Sequence, residues 1–221
     1  MMLFAYPEST RVARVLPKNA IYKNVTPSAK QRELLTQQIE KISWAHKLAA
    51  ETLNINASSE LPEIQVFQIQ LKPQIQQIDQ SLLVYLDKAI PSALIFEISS
   101  DVGMQTVACL KQINQNGGAK CSPYLYGPVF SANTPRQALP ISRDFVHLQH
   151  QLLAALLPHP IQVNETLNAA IERCQQLDKL QQKVAQLEAQ LVKKTLQFNR
   201  RVELNQQLKH AQQAYNALLT K

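Results

Sequence analysis

Residues 63–72, EIQVFQIQLK, are the stretch that decides the fold. β-Branched and aromatic residues are densest here, as in a strand, and a proline follows directly and ends the run. Side chains alternate in direction along a strand. The apolar ones of the second half therefore share one face: Phe67, Ile69 and Leu71. The polar ones share the other: Gln68, Gln70 and Lys72. We predict a central strand with one face in a core and one polar face.

Amphipathic helices are predicted on both sides of this strand. Thr26 and Pro27 offer a capping hydroxyl and a proline at the first helical position, and the apolar spacing extends to about Ala50. A short strand is predicted at residues 52–56, followed by a polar turn at 57–60. The second helix is expected to start at Pro73 and to stop before Pro91. Its apolar stripe consists of Ile75, Ile78, Leu82, Tyr85 and Leu86.

The next segments predict more sheet and then a helix. Residues 93–99, ALIFEIS, are typical of a buried strand. Two further strands, 106–113 and 119–130, would form a meander with a turn at 116–118, and the prolines of the last one place it at an edge. After a proline-punctuated linker, Ser142 can cap a helix that ends near Pro158.

The chain has no Gly or Pro from residue 164 onward, which favours long helices. Leucines and other apolar residues follow the 3-4 spacing of a coiled coil in two registers that do not join. Either one helix continues through a phase slip, or the chain folds back near residues 198–201 as a hairpin. We expect the apolar seam to bind a partner or a second copy. Its residues are Leu177, Leu180, Val184, Leu187, Leu191, Leu204, Leu208 and Tyr215.

The predicted fold class is α+β, with a mixed sheet flanked by helices and a long C-terminal coiled-coil-like helix or helical hairpin. The body would span residues 1–160, including an extended N-terminal arm at 1–25, and the helical appendage 161–221.

Composition excludes several classes of protein. The longest apolar run is far shorter than the roughly 20 residues of a membrane span. The N-terminal residues lack the features of a signal peptide, so we expect a cytoplasmic protein without membrane contact. The three cysteines, at 109, 121 and 174, show no C-x-x-C spacing. This argues against a disulfide framework and against a structural zinc site, and we expect reduced thiols.

Positive charge is concentrated at the two ends of the chain. Residues 1–30 and 164–221 each carry a net charge of +4, whereas residues 31–163 carry −1. These ends could contact nucleic acid, or they could be solvated surface. The candidate nucleic-acid-binding residues are Arg11, Arg14, Lys18, Lys193, Lys194, Arg200 and Arg201.

One constellation could carry chemistry. The predicted order of helix, strand, strand with Gln-x-Lys, helix and strand resembles the restriction-endonuclease-like core. In that core a strand-borne acid and an E/Q-x-K pair hold a divalent cation and activate water. The candidate catalytic residues are Gln70 and Lys72, with Glu51 or Glu63 as the acid and Glu40 contributed by the first helix. Mg²⁺ would be the cofactor of such a nuclease, and otherwise none is expected.

Several segments resemble a bacterial family known as domain of unknown function 4391. They are MLFAYPEST and VLPKNAIYKN near the start, QIEKISWAHKLAAETLNI and EIQVFQIQLK in the centre, and QFNRRVELNQQLK near the end. The resemblance implies genes that lie beside DNA methyltransferase and helicase or restriction-type genes, in loci that look like phage defence. It also implies Glu at the position of Gln70, so this sequence departs where a nuclease needs a carboxylate.

We therefore expect a non-catalytic accessory or adaptor protein of a DNA-modification or restriction-like defence system, which binds a helicase, methyltransferase or restriction-type partner. Its basic ends are candidates for a DNA contact. The first alternative is a metal-dependent nuclease of the restriction-endonuclease-like superfamily. The second is a homodimeric scaffold that pairs through its C-terminal helix.

Overall fold

The computed structural model describes residues 3–22, 25–56, 61–113, 119–131, 133–192 and 197–220. They form two compact units, Met1–Pro158 and His159–Lys221. The first unit combines helices with a sheet, and the second consists of two long helices. No helix among the described residues has the length and apolar character to cross a membrane.

The strands of the described chain are β1 (Phe4–Ala5), β2 (Arg11–Val15), β3 (Ile39–Ala49), β4 (Glu63–Leu71), β5 (Ala93–Ser100), β6 (Gly103–Ala108), β7 (Lys111–Ile113), β8 (Ala119–Cys121), β9 (Leu125–Phe130) and β10 (Gln137–Ala138). The helices are α1 (Lys18–Tyr22), α2 (Ala29–Gln38), α3 (Ala50–Leu53), α4 (Gln80–Ala89), α5 (Phe145–Ala154), α6 (Leu167–Leu191) and α7 (Phe198–Leu219).

The main sheet is mixed and has six strands in the order β2-β3-β4-β5-β6-β9. Strands β4 and β5 are parallel and are joined through α4, while every other neighbouring pair is antiparallel. Two small pairs complete the topology: β1 with β10 and β7 with β8. The predicted α+β class with a mixed sheet is confirmed.

The central strand β4 contributes to the core as predicted. Phe67, Ile69 and Leu71 are buried in one cluster with apolar residues of β3, β5, α2 and α4. Leu35 of α2 and Leu82 of α4 are fully buried there. Helix α5 packs against β4, and its own buried residues lie outside this cluster. The sheet therefore has helices on both of its faces.

Residues 39–49 form β3, so the prediction of one helix to about Ala50 was wrong. Helix α2 ends at Gln38, and β3 carries two bulges, between Ile39 and Lys41 and between Trp44 and His46. Each bulge adds a residue and inverts the alternation of side chains. The buried positions consequently recur every three residues, a spacing that imitates a helix: Ile39, Ile42, Ala45 and Leu48.

Other predicted boundaries also moved. The predicted strand at 52–56 is wrong, because residues 50–53 form α3 and only Asn56 makes an isolated bridge. Helix α4 begins at Gln80 rather than at Pro73, because Asp79 accepts a hydrogen bond from the amide of Ser81 and caps it. The meander is present as β5-β6-β9, with the β7–β8 pair inserted before β9 at the sheet's edge. The predicted turns at 57–60 and 116–118 lie outside the described residues.

The second unit is a helical hairpin, the alternative in which the chain folds back. Helices α6 and α7 pack side by side over their length. Leu187 of α6 and Leu204 and Ala211 of α7 are buried together. Near the start of α6, Arg173 donates to both carboxylate oxygens of Glu165 at 2.7 and 2.8 Å. The apolar seam is therefore closed by contacts between α6 and α7 of the same chain.

Candidate functional site

The second half of the polar face of β4 is open, as its alternation predicts, whereas Ile64 and Val66 on the same face are buried. Gln68 and Gln70 are exposed, and Lys72 is half-buried just after the strand's last residue. The backbone amide of Lys72 donates to the carbonyl of Gln38 at 2.8 Å, which fixes the end of β4 beside the start of β3. Gln70 and Lys72 are thus held on one rigid strand end, as a Gln-x-Lys pair requires.

One acid reaches this end of the sheet. Nε2 of Gln70 donates to Oε2 of Glu40 at 2.9 Å. Glu40 lies in the bulged start of β3, not in the first helix as predicted. Among the described residues, no carboxylate forms an ion pair with the ammonium group of Lys72.

The other two candidate acids lie at the opposite end of β4. Glu63 is its first residue and Lys72 follows its last, so at about 3.3 Å per residue the two are separated by roughly 30 Å. Glu51 belongs to α3, which follows the end of β3 that pairs with Glu63. The predicted set of Gln70, Lys72, Glu51 and Glu63 is therefore not brought together.

Glu51 and Glu63 share a lysine. Nζ of Lys47 lies 2.7 Å from Glu51 and 3.4 Å from Glu63. The hydrogen bond from Lys47 lowers the pKa of the Glu51 carboxyl. Burial alone would raise the pKa of Glu63, but hydrogen bonds from Ser92 and Gln65 and the charge of Lys47 together lower it. Both acids are thus ionised and share one cation of the protein, so the cluster keeps one net negative charge.

A buried acid that the sequence analysis did not single out lies next to Gln68. Glu97 of β5 is 2% exposed, and Arg136 donates to its two carboxylate oxygens at 2.6 and 3.1 Å. Gln68 Nε2 donates to the same carboxylate at 3.2 Å. The sequence contains one signal for this ion pair: Glu97 is the single acidic residue in the apolar run ALIFEIS. A glutamate that is fully buried in such a strand needs a cationic partner.

Residues of the N-terminal arm extend this polar cluster. The rings of Tyr6 and His46 lie with centroids 4.8 Å apart, and Thr10 Oγ1 is 3.0 Å from His46 Nδ1. Burial lowers the pKa of His46, and burial together with the charge of Glu97 raises the pKa of Tyr6. Both groups are therefore held neutral near pH 7 and serve packing rather than charge.

The basic candidates are split between the two units. Arg11 and Arg14 are exposed on β2, the edge strand of the main sheet, and Arg11 is held by Glu8 at 2.9 Å. On α7, Arg200 pairs with Glu203 at 2.9 Å, while Arg201 is exposed. Lys193, Lys194 and the side chain of Lys18 lie outside the described residues.

The hairpin uses most of the predicted partner-binding seam for itself. Leu177, Leu187 and Leu204 are buried, and three others pack against that core: Val184, Leu191 and Leu208. Leu180 and Tyr215 remain half-exposed. They line two grooves along the hairpin, of which the one beside Leu180 and Leu218 has a volume of about 500 Å³.

A pocket of about 280 Å³ lies near the carboxyl end of β5. Its lining includes Ile98, Gln105 and Tyr126, and Ile98 belongs to the core cluster on the face away from Gln70. This volume is at or below the range of roughly 300–1,000 Å³ usual for ligand pockets. Because Ile98 lies on the opposite face of the sheet from Gln70, the pocket is separate from the Gln-x-Lys pair.

Among the described residues, one group of His, Cys, Asp or Glu side chains is close enough to hold a metal ion. This group does not lie at the Gln70 end of β4. It consists of Asp87, Cys109 and Cys121. Within the described part of the chain, no group of three such ligands surrounds Lys72 as the cation site of a nuclease would.

Comparison with known proteins gives a family and no activity. No curated protein and no solved structure matches this chain. The family model described as Domain of unknown function (DUF4391) matches residues 4–214, which include the sheet, α5 and most of the helical hairpin. The chain therefore belongs to the DUF4391 family.

Proposed function

We propose that this chain is a non-catalytic accessory protein of a cytoplasmic DNA-modification or restriction-like defence system. The observation that carries the proposal is the separation of the candidate acids from Lys72, because metal-assisted hydrolysis needs several carboxylates around one cation. Glu51 and Glu63 lie at the far end of β4, where both form ion pairs with Lys47. The expected position of the metal-binding glutamate carries the amide of Gln70 instead.

The proposed partner surface is the flank of the hairpin. Its seam is closed internally, so a helicase or methyltransferase partner would contact the groove lined by Leu180, Ala217 and Leu218. A neighbouring lysine, Lys179, adds positive charge to the rim of this groove. A groove of small and branched apolar side chains on a rigid helix pair suits an apolar segment with an acidic flank.

Co-purification of the full chain with the products of neighbouring genes tests this proposal. The Leu180→Glu variant places a charge in the groove and should abolish co-purification, whereas Gln186→Glu on the exposed face of the same helix should not. Retention of the partner by Leu180→Glu, with helicity unchanged, would refute the role of the hairpin. Failure of the wild-type chain to retain any neighbouring product would refute the accessory function itself.

The exposed edge strand β2 supports contact with a nucleic acid backbone. Arg14 is exposed and, in the described structure, has no carboxylate partner. Phosphate contacts release counterions, so affinity should fall steeply with salt, and Arg14→Glu should weaken binding to all sequences alike. Arg143→Glu, at another exposed arginine of the same unit, is the matched control. Salt-independent binding would refute phosphate contact.

A metal-dependent nuclease is the second candidate, because one observation favours it. With the short α3 set aside, the elements follow the predicted order of helix, strand, strand, helix and strand, although β3 replaces the strand predicted at 52–56. Glu40 also contacts Gln70, near Lys72. Incubation with plasmid and phage DNA in Mg²⁺ or Mn²⁺ separates the two candidates. Cleavage that is lost in Lys72→Ala and kept in Lys88→Ala would establish the nuclease and overturn the non-catalytic proposal.

A further inference from the structure

Three ligand-type side chains meet where the β7–β8 hairpin joins the main sheet. Cys109 follows β6, Cys121 ends β8 directly opposite Lys111, and Asp87 comes from the last turns of α4. One oxygen of Asp87 and the two sulfur atoms all lie within 4.8 Å of one another. These residues have no role in the proposed accessory function.

The carboxylate of Asp87 is buried with one oxygen left without a hydrogen bond. Asp87 is 3% exposed, and its Oδ1 has no hydrogen-bond partner in the described structure. Its Oδ2 accepts a hydrogen bond from the hydroxyl of Tyr124. Buried carboxylate oxygens are normally paired with a donor, because an unpaired one keeps its full desolvation penalty.

Lys111 does not satisfy this oxygen, although its Nζ lies 3.5 Å from Oδ1. An ammonium group has three N–H donors. All three are taken by backbone carbonyls, those of Asp87, Ile90 and Ser92. The charge of Lys111 balances that of Asp87, but Oδ1 accepts no hydrogen bond, while the thiol of Cys109 lies 3.7 Å from Oδ2 of the same carboxylate.

The donor set is that of a zinc site with an open position. Thiolates select soft or borderline cations, and zinc accepts sulfur and carboxylate oxygen in a tetrahedron. With zinc–sulfur bonds of about 2.3 Å, two sulfur ligands lie roughly 3.8 Å apart. The three atoms would need to approach by no more than about 1 Å, which a rotation of the Cys121 side chain at the surface can supply.

Charge balance also favours a divalent cation. Lys111 and Asp87 already cancel, so the site is neutral while both thiols are protonated. Binding of a divalent cation with release of the two thiol protons keeps it neutral, which avoids the cost of a buried net charge. Because Cys121 is exposed, it provides the route from solvent and the side on which water completes the tetrahedron.

We propose that Asp87, Cys109 and Cys121 bind one zinc ion, with water as the fourth ligand. The ion ties α4 to the β7–β8 hairpin, and the hydroxyl of Tyr124 orients the Asp87 carboxylate. The cysteine spacing lacks a C-x-x-C pair, and the third ligand comes from helix α4, more than 20 residues earlier in the chain than Cys109, so no local motif marks this site.

The test is a titration of the reduced full chain with Zn²⁺ against a chromophoric chelator, followed by Co²⁺ substitution. The wild-type chain should bind one ion, release protons on binding and show thiolate-to-cobalt charge-transfer absorption. Cys121→Ser should lower the affinity by more than 100-fold, and Tyr124→Phe by about 10- to 100-fold, the usual range for a residue that orients a ligand.

Cys174→Ser is the matched control, because this third cysteine lies in the other unit. It should bind zinc as the wild type does. Absence of stoichiometric binding by the wild-type chain would overturn the proposal. So would undiminished binding by Cys121→Ser, whose exposed side chain can be replaced without unfolding the body, or lost binding by Cys174→Ser.

Discussion

The side-chain amide of Gln70 donates a 2.9 Å hydrogen bond to the carboxylate of Glu40 across adjacent antiparallel strands. The contact joins the start of β3 to the end of β4. Lys72 is two residues after Gln70 and continues the same polar face. An acid and an amide are compatible at this distance, whereas two ionised carboxylates would repel each other.

Gln70→Glu should convert this contact into a cation site. Glu40 lies in the bulge beside Lys41, the residue paired with Gln70, and its carboxylate contacts the Gln70 side chain. Cross-strand like charges are destabilising, by roughly 0.2–1 kcal/mol, so the variant should unfold more easily in the presence of a chelator. Mn²⁺ should restore the lost stability by bridging the two carboxylates. Urea denaturation with and without Mn²⁺ measures both effects. Gln70→Leu, which loses the hydrogen bond without adding charge, should not respond to Mn²⁺, and an equal response would contradict the prediction.

Arg136→Met should strongly destabilise the body, because it leaves the carboxylate of Glu97 buried without its cation. Removing one partner of a buried ion pair costs about 3–5 kcal/mol, and we expect the lower end because Arg136 is 29% exposed. Adding Glu97→Gln should recover part of this loss. Arg143→Met, at a side chain that is 83% exposed, should change the free energy of unfolding by less than about 0.5 kcal/mol. Equal effects of Arg136→Met and Arg143→Met would refute the pairing.

The hairpin should lose stability in acid through Glu165. The bidentate hydrogen bonds from Arg173 lower the pKa of this carboxyl in the folded chain. A lowered pKa contributes stability that is present above the unfolded value and is lost as the pH falls through the folded value. The hydrogen-exchange protection factors of the amides in α6, measured against the intrinsic rate at each pH, should therefore fall below about pH 4.5. Glu165→Gln should flatten this dependence and Glu188→Gln should not; an unchanged profile in Glu165→Gln would assign it to other groups.

Leu204→Ala should destabilise the helix pair selectively. The side chain of Leu204 is 2% exposed and is buried in one cluster with Leu187. Truncating such a buried leucine to alanine costs about 2–5 kcal/mol. Leu219→Ala, at a side chain that is 39% exposed near the end of α7, should cost well under half as much. Because the seam is closed within one chain, the thermal midpoint should not depend on protein concentration. A midpoint that rises with concentration would favour the homodimeric scaffold instead.

Local pattern was sufficient wherever one face of an element is buried without interruption. The alternation of Phe67, Ile69 and Leu71 predicted β4 and its core face, and ALIFEIS predicted β5. The 3-4 spacing in two registers after residue 164, together with the lack of Gly and Pro there, predicted the long helices. In these segments the period of the apolar residues matches the period of the backbone, so the sequence alone fixes the element.

Pattern failed where tertiary contacts changed that period. The two bulges in β3 make its buried positions recur every third residue, and only pairing with β2 and β4 shows that the segment is a strand. The spacing of the leucines also could not decide between a straight helix and a hairpin, because the same leucines form the apolar seam in either arrangement.

By itself, then, the sequence determined the sheet's central strand, its apolar and polar faces, the α+β class and the helical second unit. Only the tertiary structure decided which polar groups meet. It separated Glu51 and Glu63 from Lys72 by the length of β4, and it brought Glu97 to Arg136 and Asp87 to the two cysteines. These contacts depend on strand register and on the placement of α4, which are set by packing between distant segments and leave no local pattern in the chain.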